Sequence, residues 1–221
     1  MFLSKITVEK SILKGVLFLK KILLVGVMLF SLVTSASANS LIDSLAEKKL
    51  ENLPKVAVLV HVDPTNVNKP IEAAEGIYAG LEEDLPADQV TVLPNEETRK
   101  VLRAYIRENG LGDNVREGDL GFIPKKKDLE ALSTDLNVEY ILFISSRVTS
   151  QEVKRNFWSG QRKHSTILFD VVLYEKSTGK YLIDELYTDT GKTQGSFERA
   201  YKRATKNILE QIDFSTIQFT K

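Results

Sequence analysis

Apolar residues fall along this chain in unbroken runs, in stripes at steps of three and four, and in shorter mixed stretches bounded by turn residues. Each arrangement predicts a different element. Val56-Ala57-Val58-Leu59-Val60, inside the stretch Lys55 to Val62, has no polar alternation. It predicts a central strand buried on both faces. Tyr140-Ile141-Leu142-Phe143-Ile144, inside Glu139 to Val148, predicts another. Stripes at helical spacing predict four helices. Pro70 suits a first helical position, and Ile71, Ala74, Tyr78, Leu81 and Leu85 share a face up to Pro86. In the next helix, Val101, Leu102, Tyr105 and Ile106 form the buried side, Asn95 is the expected N-cap, and Gly110 the stop. Asp128 is expected to cap a helix with Leu129, Leu132 and Leu136 inward. Phe197, Tyr201, Ala204, Ile208 and Ile212 mark the inner face of a last helix, Ser196 to Ile212.

Shorter stretches complete the order. Gln89 to Leu93 reads as a short strand, and residues 109–124, with four glycines and Pro124, as a long loop. Ser165 to Glu175 and Lys180 to Thr190 read as strands joined by the tight turn Lys176-Ser177-Thr178-Gly179. Ser215 to Phe219 is expected to pair at a sheet edge. The order is β-α-β-α-α-β-β-β-α, alternating at first and a meander afterwards. It predicts one α/β (α+β) domain over residues 54–221, a mixed sheet with helices packed on it.

One further apolar run has a different setting. Lys14, Lys20 and Lys21 precede Ile22 to Val33, and Ala36-Ser37-Ala38 follows. A charged segment, an apolar core shorter than the ~20 residues of a membrane span, and an A-x-A site make a signal peptide over residues 1–38. Cleavage after Ala38 would export the chain to a periplasm or the exterior. The alternative is a retained leader, helped by the apolar patch Ile12 to Leu19; that would be the chain's only membrane contact. Residues 39–53 read as a polar helical lead-in, capped by Ser40 and ended by Pro54.

Composition narrows the function. The full chain holds 30 basic and 30 acidic residues; removing the leader's five lysines and one glutamate leaves 25 and 29, a net charge of −4. That excludes a general nucleic-acid binder, which needs a basic footprint. With no cysteine there are no disulfides, no thiolate metal site, no cysteine nucleophile and no lipid-bearing cysteine.

Three segments are similar to a known domain type. They are the opening strand Lys55-Val56-Ala57-Val58-Leu59-Val60, the helix-to-strand passage Asp128-Leu129-Glu130-Ala131-Leu132 to Leu136-Asn137-Val138-Glu139-Tyr140-Ile141-Leu142, and the hairpin Val172 to Lys180. Together they resemble the amino-terminal domain type shared by TolB, the periplasmic region of the curli secretion protein CsgG, and the penicillin-binding-protein activator LpoB. The resemblance covers about residues 54–212. It implies an envelope protein that works through protein contacts, with no shared catalytic site. The lipidated cysteine of many relatives is absent, and so is the long amphipathic hairpin that a curli-type pore needs.

Candidate chemistry is sparse. His61 and Asp63 close the first strand two residues apart and share a face if the strand persists. With Glu72 and Glu75 they would be the start of a metal or general-base site, for an exported hydrolase. The only other histidine is His164. Ser145, Ser146, Ser159 and Ser196 lie in no G-x-S-x-G elbow. Gly191-Lys192-Thr193 resembles the end of a phosphate loop, but Leu186 stands where that loop's first glycine belongs. Lys125-Lys126-Lys127 is a basic turn that would suit an anionic wall polymer. The segment Arg155 to His164 is the most suggestive. Arg155, Phe157, Trp158, Arg162 and Lys163 combine the chain's one tryptophan with a second aromatic and three cations at an expected hairpin end. Aromatic and arginine side chains are the usual anchors of protein interfaces. The expected function is therefore a non-enzymatic, exported cell-envelope module that binds another envelope protein or itself. No catalytic residue, metal or other cofactor is expected.

Overall fold

The computed structural model describes residues 53–110, 123–156 and 160–220. The chain divides into two compact units, Met1–Asn52 and Leu53–Lys221, and every described residue belongs to the second. The expected signal peptide, its cleavage site and nearly all of the lead-in helix lie outside the described residues, as do Phe157, Trp158 and Ser159.

The elements are β1 (Lys55–Val62), α1 (Pro70–Asp84), β2 (Thr91–Val92), α2 (Asn95–Glu108), α3 (Lys126–Asp135), β3 (Tyr140–Asn156), β4 (Gly160–Glu175), β5 (Lys180–Thr193) and α4 (Phe197–Leu209). They form one five-stranded sheet in the order β2-β1-β3-β4-β5. β1 runs parallel to β2 and β3, and β3, β4 and β5 form an antiparallel meander. This is the mixed sheet that the element order predicts.

β1 lies between β2 and β3, and Val56, Ala57, Val58 and Leu59 are essentially inaccessible. Alternate residues of the apolar runs serve opposite layers. Val56, Val58, Leu142, Ile144, Phe169 and Val171 pack under α1 and α4. Ala57, Leu59, Ile141, Phe143, Val172 and Tyr174 pack under α2 and α3. Two apolar faces explain why these strands show no polar alternation.

Several local expectations are corrected. Ile71 is 52% exposed, whereas Ile77 is fully buried with Tyr78 and Leu81, so the inward stripe of α1 begins one turn later than expected. α2 starts at Asn95 itself, with Pro94 before it and no side-chain cap. Asp128 lies in the first turn of α3, where one carboxylate oxygen accepts the Lys125 N–H at 2.8 Å and the other the Tyr105 hydroxyl at 2.7 Å. It thus ties α2 to α3. Residues 215–219 form no strand; Phe219 stacks edge-on against Tyr140, ring centroids 5.1 Å apart. Ser196 caps α4 as a hydroxyl should, accepting from the Arg199 N–H at 3.2 Å.

The largest difference is the length of the meander. β3 continues eight residues past Val148, β4 starts five before Ser165, and β5 runs three past Thr190. Glu152, Val153, Lys154, Arg155, Gln161 and Arg162 are exposed, so this extension hangs on the backbone ladder beyond the core. The register shifts between Val148 and Ser150, where β3 leaves the packed layers.

Candidate interaction surface

The extension places the predicted segment at a hairpin end, as its position between two strands implies. Arg155 faces Gln161 and Asn156 faces Gly160, whose φ of 71° glycine adopts without strain. With the Gln161 amide oxygen turned toward Arg155, the guanidinium donates to it at 3.1 and 3.3 Å. Arg155 and Arg162 are exposed, and Lys163 holds its ammonium 5.3 Å from the centre of the Phe197 ring in α4. That cation–aromatic contact ties the hairpin to α4.

Sequence reading did not find what surrounds Arg162. A groove of about 390 Å³ wraps the C-terminal end of β5, lined by Arg162, Lys192, Arg199 and Arg203 with Thr193, Gln194 and Gly195. Three elements contribute its cations: β4, β5 and α4. Arg203 donates to the Lys192 carbonyl, which fixes that guanidinium over the strand end. The four-residue spacing of Arg199 and Arg203 signals one helix face, but only the fold brings that face beside Arg162. The lysine turn singled out in the sequence, Lys125 to Lys127, is exposed at the start of α3 and lines no part of the groove.

β5 supplies a second unusual surface. Among the described residues it is the last strand of the sheet, 14 residues long, with β4 as its one strand neighbour. Tyr181, Leu182 and Leu186 on it are 40%, 38% and 67% exposed. The opposite edge, β2, is only two residues long.

Strand register and ion pairing set the surroundings of the hydrolase candidates. Strand register puts His61, Ser145, Asp170 and Leu186 in one row across β1, β3, β4 and β5. Serine stands between histidine and aspartate, so His61 and Asp170 are about 9.6 Å apart by two strand spacings. A triad needs the histidine in the middle. Burial lowers the His61 pKa below the usual histidine value, opposed by the Asp63 charge. Burial and then the Asp184 charge raise the Asp170 carboxyl, opposed by Arg147. Asp63 accepts the Thr65 N–H at 2.8 Å, Glu72 pairs with Lys69 at 2.7 Å, and Glu75 with Arg99 at 2.9 Å. Among the described residues no group of three or more side chains could hold a metal. His164 lies six residues from Asp170 along β4, about 20 Å, so the two histidines serve different ends of the sheet.

A cavity of about 180 Å³ lies between the β1–α1 loop, Gln151 and the first turns of α4. Neither His61 nor Asp63 lines it, and its charged pairs, Lys69 with Glu72 and Lys202 with Glu198, satisfy each other. Behind it the Ser146 hydroxyl is buried 2.7 Å from that of Tyr201. Gly191-Lys192-Thr193 is strand, not a phosphate loop, and Gly191 packs against the backbone of α4.

No family model matches the chain, and no curated protein matches it. Among solved structures it is similar to the hypothetical protein CT253 from Chlamydia trachomatis, at 12% identity over 72% of this chain and 95% of that one, TM-score 0.42. It is similar to lipoprotein GNA1162 from Neisseria meningitidis, at 15% identity over 72% and 96%, TM-score 0.38. It is also similar to the LpoB C-terminal domain from Escherichia coli, at 14% identity over 69% and 94%, TM-score 0.32.

Proposed function

We propose that this chain is an exported, non-enzymatic module of the cell envelope that binds another envelope protein through the β3–β4 hairpin end and the adjoining edge of β5. Export is supported by the leader pattern from Lys14 to Ala38, with cleavage after Ala38. N-terminal sequencing of the exported protein tests it; a chain that starts at Met1 and sediments with membranes would overturn cleavage.

The observation that carries the binding reading is β5, a long edge strand with an apolar residue 67% exposed at Leu186. An extended partner segment adds to such an edge through main-chain hydrogen bonds and takes specificity from alternate side chains. Arg155, Phe157, Trp158, Arg162 and Lys163 at the neighbouring hairpin end are the proposed anchors. The test is capture of partners from native envelope by the parent, by Leu186→Lys, and by Trp158→Ala with Arg162→Ala. Both variants should melt as the parent does and lose well over tenfold in affinity, since anchor truncations cost about 2 kcal/mol or more each. Equal capture by all three would overturn the reading.

Self-association is the second reading, favoured by one pattern. Two copies of β5 running antiparallel about Thr188 would set Lys192 opposite Asp184 at both ends. A concentration-dependent mass in sedimentation that Leu186→Lys abolishes distinguishes it.

A further inference from the structure

We infer that the groove at the C-terminal end of β5 is a binding site for a multiply charged phosphate group. Arg162, Lys192, Arg199 and Arg203 line it, and among the described residues no aspartate or glutamate does. Nearby acids are engaged elsewhere: Glu198 with Lys202 at 3.0 Å, Glu152 with Lys154 at 2.7 Å, and Asp189 with the Asn207 amide at 2.7 Å. Four cations gathered here, with Glu198 on Lys202 and reaching only Arg199 among them, repel one another, and a concave wall focuses their field outward. A bound anion relieves that repulsion.

Size and geometry select the anion. A groove of about 390 Å³ is too small for a folded partner. It lies at the lower end of small-ligand sites, about 300–1,000 Å³. Three of the four cations are arginines, whose planar forks match phosphate oxygens two at a time. Two of them are preset. Arg203 is held by the Lys192 carbonyl. The Arg199 chain rests over Gly195, where a β-carbon would come 3.0 Å from its Cδ. An isolated carboxylate brings one charge, whereas a phosphate monoester or oligophosphate concentrates about two or more in one compact group. This site is distinct from the β5 edge proposed for protein binding, although Arg162 borders both.

The experiment titrates inorganic tripolyphosphate into the full-length protein at low salt, by calorimetry. Binding is expected and should weaken as salt is added. Lys192→Gln with Arg199→Gln leaves the hairpin anchors intact and should weaken it at least about tenfold. Lys125→Gln with Lys127→Gln makes the same change in net charge elsewhere and should leave it unaltered. If the groove double variant fails to fold by circular dichroism, exposed Arg199→Gln alone should still give a loss of about threefold or more. Vesicles of phosphatidic acid, whose headgroup is a phosphate monoester, in phosphatidylcholine distinguish the sources. Capture that tripolyphosphate reverses points to a lipid headgroup; tripolyphosphate binding without capture points to a soluble or polymeric phosphate. The inference falls if tripolyphosphate does not bind, if both double variants bind it as the parent does, or if polyglutamate binds as tightly through the same residues. Partner capture that survives in the groove variant keeps this result separate from the protein-binding reading.

Discussion

Gly191 in β5 lies so close to Ala200 in α4 that a β-carbon on Gly191 would overlap the Ala200 carbonyl oxygen and come 2.8 Å from the Ala204 nitrogen. The absence of a side chain there lets α4 sit down on the strand and bury Ala200, Ala204 and Ile208. It also accounts for a glycine that, in the sequence, suggested a phosphate loop.

Gly191→Ala should therefore force α4 off the sheet and cost about 2 kcal/mol or more, as overpacking against rigid backbone does. Gly76 is the control: it lies inside α1 with nothing within 4 Å of its β-carbon position. Gly76→Ala should stabilise by about 0.5–1 kcal/mol through helix propensity. Urea unfolding of both variants checks the pair, and equal midpoints would contradict the close packing at Gly191.

Val58→Asp should unfold the domain or come close to it. Val58 is 1% exposed in the second strand of the sheet, under α1 and α4. An unpaired carboxylate there costs several kcal/mol, comparable with a domain's whole margin of about 5–15 kcal/mol. Thermal melting decides; a midpoint within a few degrees of the parent would mean that β1 is not the core strand described above.

Ser146 and Tyr201 should show strong coupling. Their hydroxyls meet at 2.7 Å, with Ser146 fully buried between sheet and α4. Tyr201→Phe leaves the serine hydroxyl buried without that partner and should cost about 1–3 kcal/mol. Adding Ser146→Ala should recover much of the loss, because neither polar group then remains. A double-mutant cycle in urea with no coupling would rule out the hydrogen bond.

His61 should make stability depend on pH. Burial keeps its native pKa below the usual 6.5, so on acidification the unfolded chain takes up a proton first. Stability from this group is full above about 6.5 and is lost as pH falls through the lower native value. His61→Gln should flatten the melting temperature between pH 7 and 5. An unchanged slope would show that other groups set it.

The element order and the two buried strands were legible in the sequence because β1 and the first half of β3 carry apolar residues on both faces. Helix existence was legible too, from three-and-four spacing. Helix ends were less so: Asn95 and Asp128 have the right chemistry for an N-cap, but the chain enters α2 and α3 one and three residues earlier, respectively. The polar half of the meander was invisible, since strands outside a core have no hydrophobic period and are held by main-chain hydrogen bonds that any residue can make.

The sequence by itself determined that this chain folds as a mixed α/β domain and that it lacks the residues for thiol chemistry. Its runs and stripes each bury locally, so their pattern reports them directly. Only the tertiary structure decided which charged and polar groups meet. It put Ser145 between His61 and Asp170 across three strands, and it paired Glu72 with Lys69 and Glu75 with Arg99. It also gathered Arg162, Lys192, Arg199 and Arg203 from three elements into one groove, while the contiguous Lys125-Lys126-Lys127 lies outside it. The reason is physical: burial follows periods of two and 3.6 along the chain, whereas proximity between distant side chains depends on strand register and on where α4 seats against Gly191.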